Sequence, residues 1–394
     1  MAQKKITTIL CIAFSLIISC NVQEGSTLSD VRQVAKKNGE LTVCDYSLLK
    51  ETITIPLSFL TEELQMVKLD NADEALVKES YVEMSDNYIL VNQSEQVPCK
   101  LFDKKTGKFI TNIGAIGQGP GEYQINYDQQ LDEENNRVYL LPWTTREILV
   151  YDLSGNYLGP IPICFNAPKG KFKVDTKAGT VIVAAIPFGN AKAVVWQQTV
   201  EGELLKSIAP GHLSVEPDFS NEIDVYKTGS EFGFNIFTFF ELRADSVYHY
   251  DVNQNKLIPV FTMDFKSIEI PIHYYVETRK YFMGHVSEPK KLNANTTSTQ
   301  NVRYYIVDKN TLRGSYFTLE NDFLGGINIE KPIYMFTGDY YVYNIEPANL
   351  REELETALSN NDKMTQEMRS KLTKLKDSIS DNDNNYIFYA KYKQ

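Results

Sequence analysis

From about residue 50 onward, apolar and polar positions alternate in short runs that stop at Asp, Asn or Gly. A period of two puts successive side chains on opposite faces of an extended backbone, so these runs are expected to be strands. One unit recurs. The segment Lys100-Leu-Phe-Asp103-Lys-Lys-Thr-Gly107-Lys-Phe-Ile-Thr-Asn-Ile113 is echoed by Leu149-Val-Tyr-Asp152-Leu-Ser-Gly155-Asn-Tyr-Leu158, by Val195-Trp-Gln-Gln-Thr199 with Gly202 and Leu204-Leu205, by Tyr248-His-Tyr-Asp251 with Leu257-Ile258, and by Tyr305-Ile-Val-Asp308 with Leu312. Each copy has the form of a hairpin: a strand ends at a residue whose side chain can cap the turn, and a Gly or Asn accepts positive φ.

The marker positions 103, 152, 199, 251 and 308 lie on average about 51 residues apart, the length of a four-stranded propeller blade. The upstream half of each period supplies two more strands, near residues 127–131 and 138–141 in the second period and near 172–174 and 181–186 in the third. With a tether and a late helical stretch set aside, about 322 residues remain, a little over six periods. The fold class expected is therefore all-β: a six-bladed β-propeller over residues 41–394, with a small α-helical insertion at 349–380 in the last blade. The sixth blade is expected to combine residues 340–344 and 386–392 with an N-terminal strand spanning about 53–69, which removes the open sheet edges.

The pattern changes late in the chain. Asn349 can cap a helix carrying Leu350, Leu354, Ala357 and Leu358 on one face, and Met364, Met368, Leu372, Leu375 and Ile379 continue at helical spacing. Two amphipathic helices are expected, packed on the propeller and partly covering the channel entrance.

Composition agrees with a β-rich globular protein: 24 Tyr, 20 Phe and 2 Trp favour strands, and 43% hydrophobic against 23% charged residues excludes wholesale disorder. The net charge of −11 has the wrong sign for a protein that must neutralise phosphates, so no nucleic-acid partner is expected. At the N-terminus Lys4 and Lys5 precede an almost unbroken apolar run from Ile6 to Ile18, then Ser19 and Cys20. That layout is a secretory signal, and its apolar run of about 13 residues is short for a spanning helix. A small residue before Cys20 is similar to a bacterial lipobox, so residues 1–19 are expected to be cleaved, Cys20 lipidated and residues 20–40 left as a tether to the membrane. Cleavage takes two lysines and no acids, lowering the charge from −11 to −13, so attachment would depend on acyl chains rather than a basic patch. Cys44, Cys99 and Cys164 show no Cys-x-x-Cys spacing and are expected as mostly buried thiols.

The lipobox, the five hairpins and the segment Ile113-Gly-Ala-Ile-Gly117-Gln-Gly119-Pro-Gly121-Glu122-Tyr123 together resemble the six-bladed β-propeller lipoproteins of gut Bacteroidota, relatives of the NHL-repeat propellers. The resemblance runs from about residue 50 nearly to the end. It implies a cell-envelope location, with the outer membrane as the expected site of anchoring. It implies no activity, because the fold serves enzymes, scaffolds and sensors alike.

Candidate chemistry is sparse. Gly117-x-Gly119-x-Gly121 is not a phosphate loop, since Pro120 removes a donor and no helix follows. No Gly-x-Ser-x-Gly or His-Glu-x-x-His is present, and His212, His249, His273 and His285 lack ligand spacing. The oxygen-rich runs 251–255 and 381–385 lack the glycine and terminal acid of a calcium loop and fit turn capping instead. No metal or cofactor is expected.

Topology narrows the search further, because the connections from strand B to C and from D to the next A gather at one end of a propeller's channel. Residues 92–97, 143–146, 188–192, 241–245 and the polar stretch 287–301 are expected there. Trp143 with Arg146, Asn190, Glu241 with Arg243, and His285 are the candidate ligand-binding residues. The function expected is a lipid-anchored binding or interaction module for a small molecule, glycan, peptide or protein. The alternative is a hydrolase or lyase working in the channel.

Overall fold

The computed structural model describes residues 28–393, apart from 79, 94–95, 144–145, 228–230, 267–268, 294–295 and 361–363. The expected signal peptide and Cys20 lie outside the described residues. Antiparallel sheets succeed one another as six blades of a propeller, each with its first strand, A, innermost. Blade one comprises Ser80–Met84, Tyr88–Gln93, Cys99–Asp103 and Phe109–Ile113, and blade two Asn126–Asp132, Arg137–Pro142, Glu147–Tyr151 and Tyr157–Pro162. Blade three is Lys171–Asp175, Thr180–Ala184, Val195–Thr199 and Leu204–Ile208. Blade four is Glu222–Tyr226, Gly233–Phe237, Ser246–Asp251 and Lys256–Asp264, and blade five Ile272–Glu277, Tyr281–Asn293, Thr296–Asp308 and Gly314–Asn321. All five marker hairpins are the C and D strands of their blades.

Blade six closes the ring with strands from both ends of the chain: Phe336–Thr337, Tyr340–Ile345, Tyr386–Lys391 and, outermost, the N-terminal Gln65–Lys68. Tyr386 pairs with Lys68 and Tyr389 with Gln65, so the expected closure is present. The corner is tied further by Asp383, whose carboxylate accepts from Lys68 Nζ at 3.0 Å and Tyr386 Oη at 2.6 Å. Burial alone would raise the Asp383 pKa, but these bonds and the Ser380 N–H hold it well below the usual carboxylate range.

The N-terminal segment departs from expectation in two ways. A single strand over 53–69 is not formed: Thr52–Pro56 instead runs parallel to Gly314–Asn321 on blade five, and only Gln65–Lys68 enters blade six. The expected tether is packed from Leu28 onward, with Leu28, Val31 and Val34 buried. Ala35–Asn38 and Leu41–Asp45 form a hairpin that extends blade four through parallel pairing to Lys256–Asp264. Both additions cover outer edges that would otherwise present unpaired backbone groups.

Neighbouring blades share apolar layers. Tyr139, Leu141 and Ile148 of blade two pack with Phe172, Val181 and Val183 of blade three, and Val195 of blade three packs with Ile223 and Phe234 of blade four. A strand in mid-blade has a neighbouring blade on each face, which is why Ile89, Leu90 and Val91 are all buried and read as a continuous apolar run. Burying one ring such as Phe172 contributes roughly 2–3 kcal/mol.

The Gly-Pro-Gly-Glu-Tyr turn links blades one and two and is structural, as expected. Gly121 has φ +73°, and a Cβ there would lie 2.6 Å from the Tyr157 ring. The Glu122 carboxylate accepts from the Gly119 N–H at 2.8 Å, and the Tyr123 hydroxyl donates to the Ile113 carbonyl at 2.9 Å.

The helices span Pro347–Asn360 and Gln366–Ser378, inserted between strands B and C of blade six. The first begins two residues before Asn349, and it is Thr365 that caps the second, accepting from the Met368 N–H at 3.2 Å. Leu350, Leu354, Ala357, Leu372 and Ile379 enter one core with Phe323, Leu324, Ile333 and Ile345 at the junction of blades five and six. No helix among the described residues is long and apolar enough to cross a membrane.

Candidate functional site

Because strands alternate in direction, the turns from A to B and from C to D gather at one end of the channel, and the B-to-C and D-to-A connections gather at the other. The innermost strands carry polar residues on the side facing the axis. Lys171 and Lys173 alternate with buried Phe172 and Val174, and Glu222 and Asp224 flank buried Ile223. These side chains meet across the channel. The Tyr127 hydroxyl of blade two donates to Glu222 of blade four, which also accepts from Lys169 just before blade three. Lys227 Nζ, next to blade four, reaches Asp128 Oδ2 of blade two at 2.9 Å, and Glu83 of blade one accepts from the Leu131 N–H at 3.0 Å. Tyr274 of blade five hydrogen-bonds Asp224.

The electrostatics follow from this placement. Glu83 lies deep among protein atoms yet keeps part of its surface open to the channel. Burial pushes its pKa up to about 7, against the pull of Lys227. Asp224 is raised for the same reason, with Lys171 opposing. The Tyr127 hydroxyl is pushed up by burial and by donating to the Glu222 carboxylate.

Aromatic rings surround these charges at the B-to-C end. Trp143 stands edge-on to Tyr127 at 4.9 Å and lies nearly parallel to Phe219, with centroids 6.3 Å apart and 21° between planes. Across the mouth Tyr274 stacks on His285 at 5.7 Å and on Tyr334 at 5.5 Å. Phe219 is 82% exposed, Tyr81 76% and Tyr334 53%.

The residues expected from sequence divide accordingly. Trp143 is part of the aromatic rim, partly exposed. His285 is only 7% exposed; its Nε2 lies 3.1 Å from the Tyr334 hydroxyl, and its Nδ1 has no hydrogen-bond partner among the described residues. Burial, then His273, lowers its pKa to about 4, so the ring is neutral. Arg146, Asn190 and Glu241 lie exposed on B-to-C connections. Arg243 does not pair with Glu241: it donates to the carbonyls of His212 and Ser214, both at 3.0 Å, and to Asp245 at 3.4 Å, pinning the 211–214 turn. The polar stretch 287–301 is not a loop, since Tyr281–Asn293 and Thr296–Asp308 continue as a long hairpin whose outer half is largely exposed. Sequence reasoning missed Glu83, Tyr127, Lys169 and Lys171; Glu222 with Asp224 stands out in the sequence as a carboxylate pair of the kind a glycosidase uses, but spacing alone does not establish the separation needed. The available signal was a first strand in each period whose alternate positions are charged although the strand is innermost.

The opposite end differs. A cavity of about 580 Å³ opens there, lined by the A-to-B turns of blades one, two, five and six, including Asp86, Asp132, Glu133, Glu134, Arg279 and Asp339. Its charges serve the turns. Asp132 accepts from Asn135, Glu133 from the Asn87 N–H at 3.0 Å, and Arg279 donates to both oxygens of Asp339 at 2.7 and 2.6 Å. Among the described residues no group of three His, Cys, Asp or Glu side chains is arranged to hold a metal ion. The cavity is roomy and reaches Leu131, whose N–H donates to Glu83, but its lining charges serve turns; the buried polar groups that converge from several blades lie under the aromatic rim, and that end is the candidate site.

Residues 42–391 match the family described as a domain of unknown function, DUF4934. The chain belongs to that family. This DUF4934 propeller is similar in fold to a presumed exported protein of Bacteroides fragilis, at 16% identity and a TM-score of 0.57, covering 88% of this chain and 99% of that one. Weaker likenesses are to a DUF4221 family member from Bacteroides vulgatus (11% identity, 85% and 97% covered, TM-score 0.43) and to the periplasmic gluconolactonase of Pseudomonas aeruginosa (8%, 59% and 74%, 0.34). No curated protein matches this chain.

Proposed function

We propose that this DUF4934 propeller is an exported, lipid-anchored binding module of the cell envelope that takes its ligand at the aromatic end of the channel. The observation that carries the reading is the convergence of Tyr127, Lys169, Glu222 and Asp224 from different blades beneath a rim of exposed rings. Convergent polar groups below an apolar rim are what a concave ligand site requires. Export and anchoring are supported by the apolar N-terminal run ending at Cys20 and by the fold likeness to a presumed exported protein. The kinship with NHL-repeat lipoproteins of the outer membrane is part of the same proposal.

The test is a thermal-shift screen of the mature chain against small molecules, glycans and peptides. A ligand that raises Tm for the native protein but not for Trp143→Ala is the expected result; stabilisation that survives in the variant places the ligand elsewhere. Cys20→Ala is expected to move the protein from the membrane to the soluble fraction.

A catalytic reading is favoured by one observation, two channel carboxyls raised by burial: Glu83, pushed up to about 7 and so suited to proton transfer near neutral pH, and Asp224, raised in the same direction and hydrogen-bonded to Tyr274. A hydrolase or lyase activity would then vanish in Asp224→Asn while ligand binding remained.

A further inference from the structure

We infer that the sector of the mouth between blades two and four is a saccharide subsite, in which Trp143 and Phe219 stack on the ring and Glu222, held in place by the enclosed Lys169, accepts from its hydroxyls. The inference rests on the binding reading above and names its ligand class.

The rings supply the first half of the argument. Phe219 and Trp143 present nearly parallel faces, with Tyr127 edge-on beside them. A flat ligand face carrying C–H groups is attracted to the negative face of an aromatic ring. The charges supply the second half. Lys169 Nζ lies 5.8 Å from the Trp143 ring centroid and donates to Glu222 and, at 2.6 Å, to the Phe219 carbonyl. Lys171 Nζ sits 4.7 Å from the Tyr127 centroid. Glu222 is the more open partner, its side chain 38% exposed while that of Lys169 is 3% exposed.

This mixture discriminates among ligand classes. A cation would be drawn to Glu222 and repelled by Lys169 and Lys171. An anion would be drawn to the lysines and repelled by Glu222 and Asp224. A purely apolar ligand would desolvate paired charges with nothing to offer in return. A neutral polyhydroxylated ring fits the open groups, because its hydroxyls donate to the Glu222 carboxylate, whose charge the enclosed Lys169 balances, while the apolar face stacks. Lys169 itself is held at φ +52°, a left-handed conformation unfavourable for a residue with a Cβ. Such local strain persists where the surroundings enforce it, and here it delivers the ammonium to Glu222 and the Phe219 carbonyl.

Trp143 is a built-in reporter, since the other tryptophan, Trp196, is fully buried. The mature chain is titrated with neutral gluco-, manno-, galacto-, xylo- and N-acetylglucosamine tetra- to hexasaccharides, followed by tryptophan fluorescence and calorimetry. At least one series is expected to change the emission and to bind with Kd between about 1 μM and 1 mM. Phe219→Ala, at an exposed ring whose loss spares folding, and Glu222→Gln are expected to weaken that binding about tenfold or more, and Trp143→Phe by less than Trp143→Ala. The inference is overturned if no neutral saccharide binds by about 10 mM, or if one binds equally well to Phe219→Ala and Trp143→Ala. Should a peptide or non-sugar molecule bind instead and be lost in Trp143→Ala, the saccharide class falls while the binding function stands. Should no class of ligand depend on Trp143, both fall.

Discussion

The two ends of the central channel are built from the same six blades and both carry charge, yet they use it differently. At the aromatic end Lys169 is almost completely enclosed and bridges to Glu222, and Tyr127 joins the same carboxylate from another blade. At the acidic end Arg279 and Asp339 are each about half exposed, as are many of the turn charges around them. A charge taken out of water must be compensated by partners in fixed positions, whereas a solvated charge is stabilised by water wherever it points. The cavity of about 580 Å³ therefore marks a gathering of turns, and the tighter, more costly arrangement marks the site.

The contrast is sharpest for Lys169→Met, which keeps the stem and removes the ammonium. About 3 kcal/mol of stability should be lost in urea unfolding, because the Glu222 carboxylate is left facing a second carboxylate without its buried partner. A loss under about 1 kcal/mol would dissolve the distinction between the two ends.

Next in size is the pH dependence due to Glu83. Its folded pKa of about 7 exceeds the unfolded value of ~4.3, so the folded state holds the proton more tightly. Its contribution is fully present below pH ~4.3 and is lost as pH rises through about 7, by about 2 kcal/mol once its opening to the channel is allowed for. Glu83→Gln should flatten the stability profile measured between pH 4 and 8; an unchanged slope would show that the carboxylate is solvated like those at the acidic end.

At that end Arg279→Ala should cost only about 0.5–1 kcal/mol despite its two-pronged contact with Asp339, because both partners are open to solvent. Smallest of all is Lys177→Ala, whose 3.3 Å contact with Glu134 joins two strongly exposed side chains; denaturation midpoints should be indistinguishable from the native protein.

How far each feature could be read from the chain follows the same divide. The C and D hairpins of blades one to five were legible because their turns are local: Asp103 accepts from the Thr106 N–H at 2.7 Å and Asp152 from the Ser154 N–H at 2.9 Å. Trp143 was legible as a rim residue because it follows strand B of blade two. Glu83 and Lys171 were not, since a charged position on an alternating strand is ordinarily its solvent face, and Glu222 with Asp224 could be noted as a carboxylate pair but not placed at the channel. The pairing of Glu241 with Arg243 failed for a related reason. Proximity in sequence suggested an ion pair, while folding brought the 211–214 carbonyls within reach of the guanidinium.

The chain by itself determined the number of blades, their strand content and the closure of the ring, because each depends on a repeated local signal and on the arithmetic of its period. Tertiary structure alone decided which polar faces turn toward the axis, where Thr52–Pro56 docks, and which charges from blades two and four meet. Those contacts join residues nearly a hundred positions apart, as with Tyr127 and Glu222, and they exist only once the ring has brought its inner strands around one axis.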